Sequence, residues 1–353
     1  MAAAAKIPVI DISDDANQLQ VAKDLVEAAV EHGFIYIKNT GKDIPVESVE
    51  KAFDIARILF KGPVEDKQRC AIQPNNRGWS GMHIETLDPK NQRIGDYKEA
   101  FNFGQFLSGK PQQPLPANIE PYVDEISQFQ DYLYNTCLKL NLLLGIGLDV
   151  DPPDFFKTRH LRENGPSGTT LRLLYYPPLT STDASASDVR AGAHSDYGSL
   201  TLLFRLRGQA GLEVQTRDNT WAPVPVCPPG TEDDPAPPVL VNIGDLLSYW
   251  TNGLLRSTVH RVVFPTQQVV DGESAAEPRY SIAFFCHPVG TARLEPVPSE
   301  RVRAYVPAKV KGVGKGGEEE GANPYAERRV VTADEHLQMR LRASYLQLYD
   351  DKK

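Results

Sequence analysis

The stretch HSDYGSLTLLFRLRGQAGLEVQ, from His194 to Gln215, contains two short runs rich in Leu, Val, Thr and Phe. They are Leu200–Arg205 and Leu212–Gln215, parted by Gly208 and Gly211. Runs of this length and composition, bounded by glycine, read as strands. The pattern repeats on both sides: Leu171–Tyr176, Val239–Ile243, Val259–Phe264 and Tyr280–Phe285 are β-rich and separated by Pro, Gly, Asp and Ser clusters. Many short strands with few helical patterns between them predict a sandwich or barrel for the second half. Thr180–Val189 and Pro228–Pro238 read as surface loops between strands. Lys309–Asn323, rich in Gly, Lys and Glu, reads as a third, mobile one.

The first half has a different texture. Ile7–Ile12 (IPVIDI) predicts a short strand with Pro8 near its start, where a missing N–H does least harm. Ala22, Leu25, Val26 and Ala29 share one face of a predicted helix over Gln18–Glu31, which Gly33 stops before the strand Phe34–Ile37. Val49, Phe53, Ala56 and Phe60 mark a second amphipathic helix, ended by Gly62-Pro63. A long helix is expected from Tyr122 to about Leu144, with the apolar run Leu138–Leu148 as its buried end. Thr332 to Leu348 predicts a closing helix, with Thr332 as N-cap and Glu335 three residues on.

The bulk composition excludes several function classes. A chain of 353 residues, 41% hydrophobic, can bury one large core or a core with an appended layer. A formal net charge of −8 leaves no basic surplus for nucleic acid or an anionic membrane. Cys70, Cys137, Cys227 and Cys286 lie far apart without a CxxC pair, which argues for reduced thiols. The start MAAAAK has too short an apolar part for a secretory signal, and no stretch approaches the roughly 18 apolar residues of a membrane span. The expectation is a cytoplasmic protein, monomeric, acting on a small molecule.

Any imidazole metal site must draw on seven histidines. His194 and Asp196 stand at i and i+2, so in extended chain both side chains leave one face. Ala191, Gly192, Ala193 and Gly198 around them are small and allow close approach to the backbone. His260 lies in the β-branched run STVHRVV, 66 positions downstream, where a separate strand can return it to the same place. Two imidazoles and one carboxylate on one face of an iron leave three adjacent positions open, as in non-haem Fe(II) oxygenases. Each piece alone has a plainer meaning: HxD is common in loops, and a strand histidine is usually a satisfied core residue. In PRYSIAFF, alternation puts Arg279 and Ser281 on one strand face with Ala283 and Phe285. An arginine aimed into an apolar barrel needs an anion, and its fork suits a carboxylate, from a ligand or from one of the 46 acidic residues of the chain.

Taken together, these residues resemble the isopenicillin N synthase-like iron(II)/2-oxoglutarate-dependent dioxygenases. The matching segments are IPVIDIS, HGFIYIKN, NRGWSG, DYKEAFNFG (Asp96–Gly104), LLYYPP (Leu173–Pro178), HSDYGSLTLL, GLEVQ, NIGDLLSYWTNG (Asn242–Gly253), STVHRVV and PRYSIAFF. They run in order over essentially the whole chain. The resemblance implies a mixed α+β (α/β) protein in three parts. Residues 1–165 would be a helical and mixed layer, 166–295 a double-stranded β-helix (jelly-roll) core, and 296–353 a C-terminal loop and helix.

The resemblance also assigns roles. His194, Asp196 and His260 would bind Fe(II), and Arg279 and Ser281 would hold the distal carboxylate of 2-oxoglutarate. Tyr176 would add a hydrogen bond to that co-substrate, and O2 would be the oxidant. Where the family usually has Asn before the tyrosine pair, this chain has Leu174. The activity implied is C–H oxidation (hydroxylation, desaturation or a related reaction) of a small organic metabolite in specialised metabolism. Some relatives with the same Arg/Ser pair are oxidases that dispense with 2-oxoglutarate, and a non-catalytic binding barrel is a further alternative. A zinc hydrolase is disfavoured because no HExxH-type element supplies a base. For Trp79, Phe101, Phe103 and Phe285, core packing is favoured over a place in the site.

Overall fold

Alternation along residues 279–286 sets the layering of the molecule. The computed structural model describes residues 3–344 except 14, 89–90, 93, 179–189, 265–276 and 307–328. Its strands are β1 (Val9–Ile10), β2 (Phe34–Ile37), β3 (Gly78–Ser80), β4 (Glu99–Phe103), β5 (Thr170–Tyr176) and β6 (Ala191–His194), followed by β7 (Leu200–Arg205), β8 (Leu212–Gln215), β9 (Trp221–Pro223), β10 (Val239–Ile243), β11 (His260–Val262) and β12 (Arg279–Cys286). Eight of them form one sheet in the order β1-β2-β10-β7-β12-β5-β4-β3, and four form a second in the order β6-β11-β8-β9. Tyr280, Ile282 and Phe284 of β12 leave one face of the large sheet and join the main core, with the helices Gln18–Glu31, Val46–Lys61 and Val123–Gly147. Ala283 leaves the other face and packs between the sheets with Tyr36, Tyr176, Leu212, Val214 and Val262. This is the predicted jelly roll with a helical layer on one side.

Most predicted elements are present at close to their expected bounds. The helix Gln18–Glu31 and the strands Phe34–Ile37, Leu200–Arg205, Leu212–Gln215 and Val239–Ile243 match them. The predicted strand Ile7–Ile12 shrinks to β1, because only Val9 and Ile10 find partners, in a parallel pairing with β2. The predicted strand Val259–Phe264 shrinks to β11. The long helix runs Val123–Gly147, past Leu144, because Gly147 lets its end close onto the first helix. A Cβ there would stand 2.2 Å from the Ala22 carbonyl oxygen.

Asn75–Gly81 and Asp96–Gly104 contribute β3 and β4, which extend the large sheet beyond β5. The closing helix begins at Ala333 behind the expected capping box: Thr332 N–H donates to Glu335 Oε2 (2.7 Å), and Glu335 N–H to Thr332 Oγ1 (3.2 Å). Pro228–Pro238 makes turns rather than a wholly exposed loop, with Thr231 and Ala236 buried. Thr180–Val189, Lys309–Asn323 and residues 345–348 lie outside the described residues. No described helix is long and apolar enough to cross a membrane.

Candidate active site

The chain returns to one spot through the small sheet. In the β6–β11 ladder His260 stands directly opposite His194, which places the two imidazole centroids 4.4 Å apart. Asp196 follows two residues after His194, beyond the strand end. Its Oδ1 lies 3.8 Å from His194 Nε2 and 3.7 Å from His260 Nε2. The three ligand atoms all lie within 4.8 Å of one another, a span that one ion can bridge. Asp196 and His260 are buried, and His194 nearly so.

Hydrogen bonds behind these groups fix which atom faces the centre. His194 Nδ1 sits 2.7 Å from the Gly192 carbonyl, and His260 Nδ1 sits 3.1 Å from that of Thr258. A carbonyl can only accept, so each Nδ1 carries the proton and each Nε2 presents a lone pair. Asp196 Oδ2 accepts from Thr201 Oγ1 and Asn242 Nδ2, both at 2.7 Å, which leaves Oδ1 turned to the imidazoles. Burial pushes His194 down to about 4, with His260 adding to the shift, so its ring is neutral at pH 7. Burial works to raise the Asp196 carboxyl, but the two histidines and the bonds from Asn242 and Thr201 outweigh it and hold it below its ordinary value. Two neutral nitrogens and one carboxylate oxygen fit a divalent iron. Behind the loop, Asp245 N–H donates to the Asp196 carbonyl (2.7 Å), and a Cβ on Gly244 would stand 2.2 Å from the Gly198 carbonyl oxygen. Only glycine permits that approach.

A cavity opens from this cluster into the barrel and is bordered by Tyr176, Leu174, Arg279 and Ser281. Cross-strand pairing puts Arg279 opposite Tyr176, with its guanidinium 4.8 Å from the tyrosine ring centre, and Arg279 Nη1 donates to Ser281 Oγ at 3.4 Å. Arg279 is 3% exposed, makes no ion pair to a carboxylate among the described residues, and its Nε has no hydrogen-bond partner. A buried cation in that state is costly unless an anion joins it. Among the described residues, then, Arg279 does not make the internal salt bridge considered from sequence. The orphaned fork fits a carboxylate of 2-oxoglutarate.

Sequence reasoning passed over several groups. Arg190 is 2% exposed with its guanidinium 4.8 Å over the Phe264 ring, and burial, with Arg279 beside it, pushes it down to about 10. Thr201 and Asn242 steady Asp196. Lys98 reaches Glu85 at 2.9 Å and also pairs with Asp96, while Arg172 grips both Glu85 oxygens. The motifs DYKEAFNFG and NIGDLL carry Asp96, Lys98 and Asn242, and were the available signal. Phe101 and Phe103 are core residues and Trp79 packs on the core, as expected; Phe285 packs on the core between the sheets and also borders the cavities beside His194.

Comparisons with known proteins agree with this geometry. Residues 7–122 match the family described as non-haem dioxygenase in morphine synthesis N-terminal, and residues 167–288 match the 2OG-Fe(II) oxygenase superfamily. The chain is 36% identical over 302 residues to UPF0676 protein C1494.01 of Schizosaccharomyces pombe, covering 84% of this chain and 86% of that one. It is 32% identical over 301 residues to the 2-oxoglutarate-dependent dioxygenase htyE of Aspergillus rugulosus, covering 81% and 87%. A crystal structure of a full-length Neurospora crassa protein in complex with alpha-KG and thymine is 28% identical and superposes with a TM-score of 0.74 over 97% of this chain and 99% of that one.

Fold and site thus define a jelly-roll oxygenase. The chain belongs to the 2OG-Fe(II) oxygenase superfamily, and it is an Fe(II)/2-oxoglutarate-dependent dioxygenase that uses O2.

Proposed function

We propose that His194, Asp196 and His260 hold the Fe(II), and that Arg279, Ser281 and Tyr176 seat 2-oxoglutarate. The substrate is a small organic molecule of specialised metabolism, oxidised at a C–H bond. The observation that carries this is Arg279: a buried guanidinium without a carboxylate partner among the described residues borders the same cavity as the His–Asp–His cluster. Iron, 2-oxoglutarate and O2 together supply the oxidation of a C–H bond, with succinate and CO2 as co-products. The chain supplies orientation. Arg279 and Ser281 fix the far end of the keto acid, so that its keto end lies toward His194, Asp196 and His260. The apolar wall of Leu174, Leu203, Leu212 and Val262 keeps water from the rest of that cavity.

Succinate release is expected to require both Fe(II) and 2-oxoglutarate, with one O2 consumed per succinate. Equal oxygen consumption without 2-oxoglutarate would make the protein an oxidase of the same fold. A finer test concerns the support behind Asp196. Asn242→Ala removes one of two donors to Oδ2 and is expected to weaken Fe(II) binding by about 10–100-fold, as loss of a partner behind a ligand typically does. Titration of metal into the apoprotein reads this directly; an unchanged affinity means Thr201 alone suffices.

A further inference from the structure

A second cavity shares His194 and Asp196 with the first but lacks Arg279. We propose that it is built for a small, uncharged substrate with a flat amide-type edge, one that sets an N–H beside a C=O, as in a cyclic amide or imide. This rests on the assignment above, that iron sits at His194, Asp196 and His260, and narrows the substrate class.

Charge is the first ground. Arg172 and Glu85 border the cavity and form a two-pronged pair, at 3.2 and 2.6 Å. Lys98 joins Glu85 to Asp96 behind them. All four are at most 8% exposed, and their two positive and two negative charges cancel. A substrate carboxylate would have to compete with Glu85 for Arg172, and an ammonium would have to compete with Arg172 and Lys98 for Glu85. Either would leave a buried charge uncompensated, which is costly. A molecule offering an acceptor to Arg172 and a donor to Glu85 leaves the balance intact.

His287 is the second ground. It borders the cavity, is 5% exposed, and its Nδ1 has no hydrogen-bond partner among the described residues. Burial, with His336 and His160 adding, pushes it down to about 3, so the ring is neutral and offers one more dipolar partner. A buried polar atom in this state favours a ligand that completes it. Asn76 is the third. Its side-chain oxygen already accepts from Asn102 Nδ2 at 3.0 Å, so its amide nitrogen is the group able to donate. Tyr197 and Phe285 add flat apolar walls suited to a planar ring.

Uracil, benzoate and indole separate the possibilities when titrated by calorimetry into the full chain, loaded with Fe(II) and 2-oxoglutarate under anaerobic conditions. Uracil is flat and neutral with adjacent N–H and C=O; benzoate is flat and anionic; indole is flat with an N–H and no carbonyl. Uracil is expected to bind at least about tenfold more tightly than either. His287→Leu and Asn76→Gly should each weaken uracil by about tenfold and leave indole unchanged. Glycine preserves the left-handed backbone of Asn76 (φ 61°) and keeps the test alive if the His287 variant misfolds. Benzoate binding more tightly than uracil, no heat with uracil at millimolar concentration, or uracil affinity unaltered in both variants would overturn the proposal. Admitting O2 to the same samples keeps the two inferences apart. Uracil bound by protein that fails to bind Fe(II) supports this pocket chemistry and counts against the oxygenase site. Succinate formation without uracil binding overturns the pocket chemistry alone.

Discussion

His260→Ala is expected to abolish succinate release, by more than the about 100-fold that follows loss of a group behind a ligand. Alanine deletes one of the three converging atoms outright. The Asp196 carboxylate and His194 alone cannot fix three faces of an ion, so the metal either leaves or sits loosely. The variant should also fail to bind Fe(II) at concentrations that saturate the wild type. The fold is a separate matter: His260 packs edge-on against Phe34, with ring centroids 5.5 Å apart, and alanine leaves a cavity there. That contact lies between two sheets held by many others, so the far-ultraviolet spectrum should remain that of the wild type. His194→Ala should behave alike, since His194 and His260 face each other across one ladder. Full turnover with iron in either variant would remove the histidine from the ligand set.

Why this site was legible in the sequence, and other parts were not, follows from what each depends on. His194, Arg279 and Ser281 owe their directions to local strand periodicity, whereas Asp196 lies past the end of β6 and is held by Thr201 and Asn242. On β12 the alternation separates Arg279, Ser281 and Ala283 from Tyr280, Ile282 and Phe284, and the two cores receive them accordingly. Convergence of His260 on His194 is different. It depends on a ladder between strands 66 positions apart, and without the family resemblance the spacing gives no means to derive it. The buried cluster of Glu85, Asp96, Lys98 and Arg172 was less legible still. Each residue looks like an ordinary surface charge. Only Arg172 lies on a strand, and Glu85, Asp96 and Lys98 come from the irregular segment between β3 and β4, where no periodicity marks them as buried. Phe285 illustrates the same limit. Its pattern marks one face of a strand, but whether that face meets packed side chains or a cavity is settled by the neighbouring strands.

Arg279→Leu should raise the apparent KM for 2-oxoglutarate steeply while leaving the ligand-free protein as stable as before, or more so. Truncating one partner of a buried charge pair costs about 2–5 kcal/mol, which is about 30-fold to several thousandfold in affinity. In the ligand-free state the sign reverses, because Arg279 is then a buried cation without a carboxylate among the described residues, and an apolar side chain removes that cost. Nearby Arg190 sharpens the expectation, since Arg279 beside it helps hold the Arg190 guanidinium below its ordinary value and the change relieves that repulsion. Two melting curves therefore test it: the wild type should be strongly stabilised by 2-oxoglutarate, and the variant hardly at all. A short keto acid lacking the distal carboxylate gives the matching chemical deletion. It should bind the wild type poorly and lose little further in the variant, because the missing carboxylate and the missing guanidinium are one interaction. Arg279→Lys should fall between, keeping the charge and losing the planar fork. A variant with unchanged KM would show that Arg279 grips something other than the keto acid.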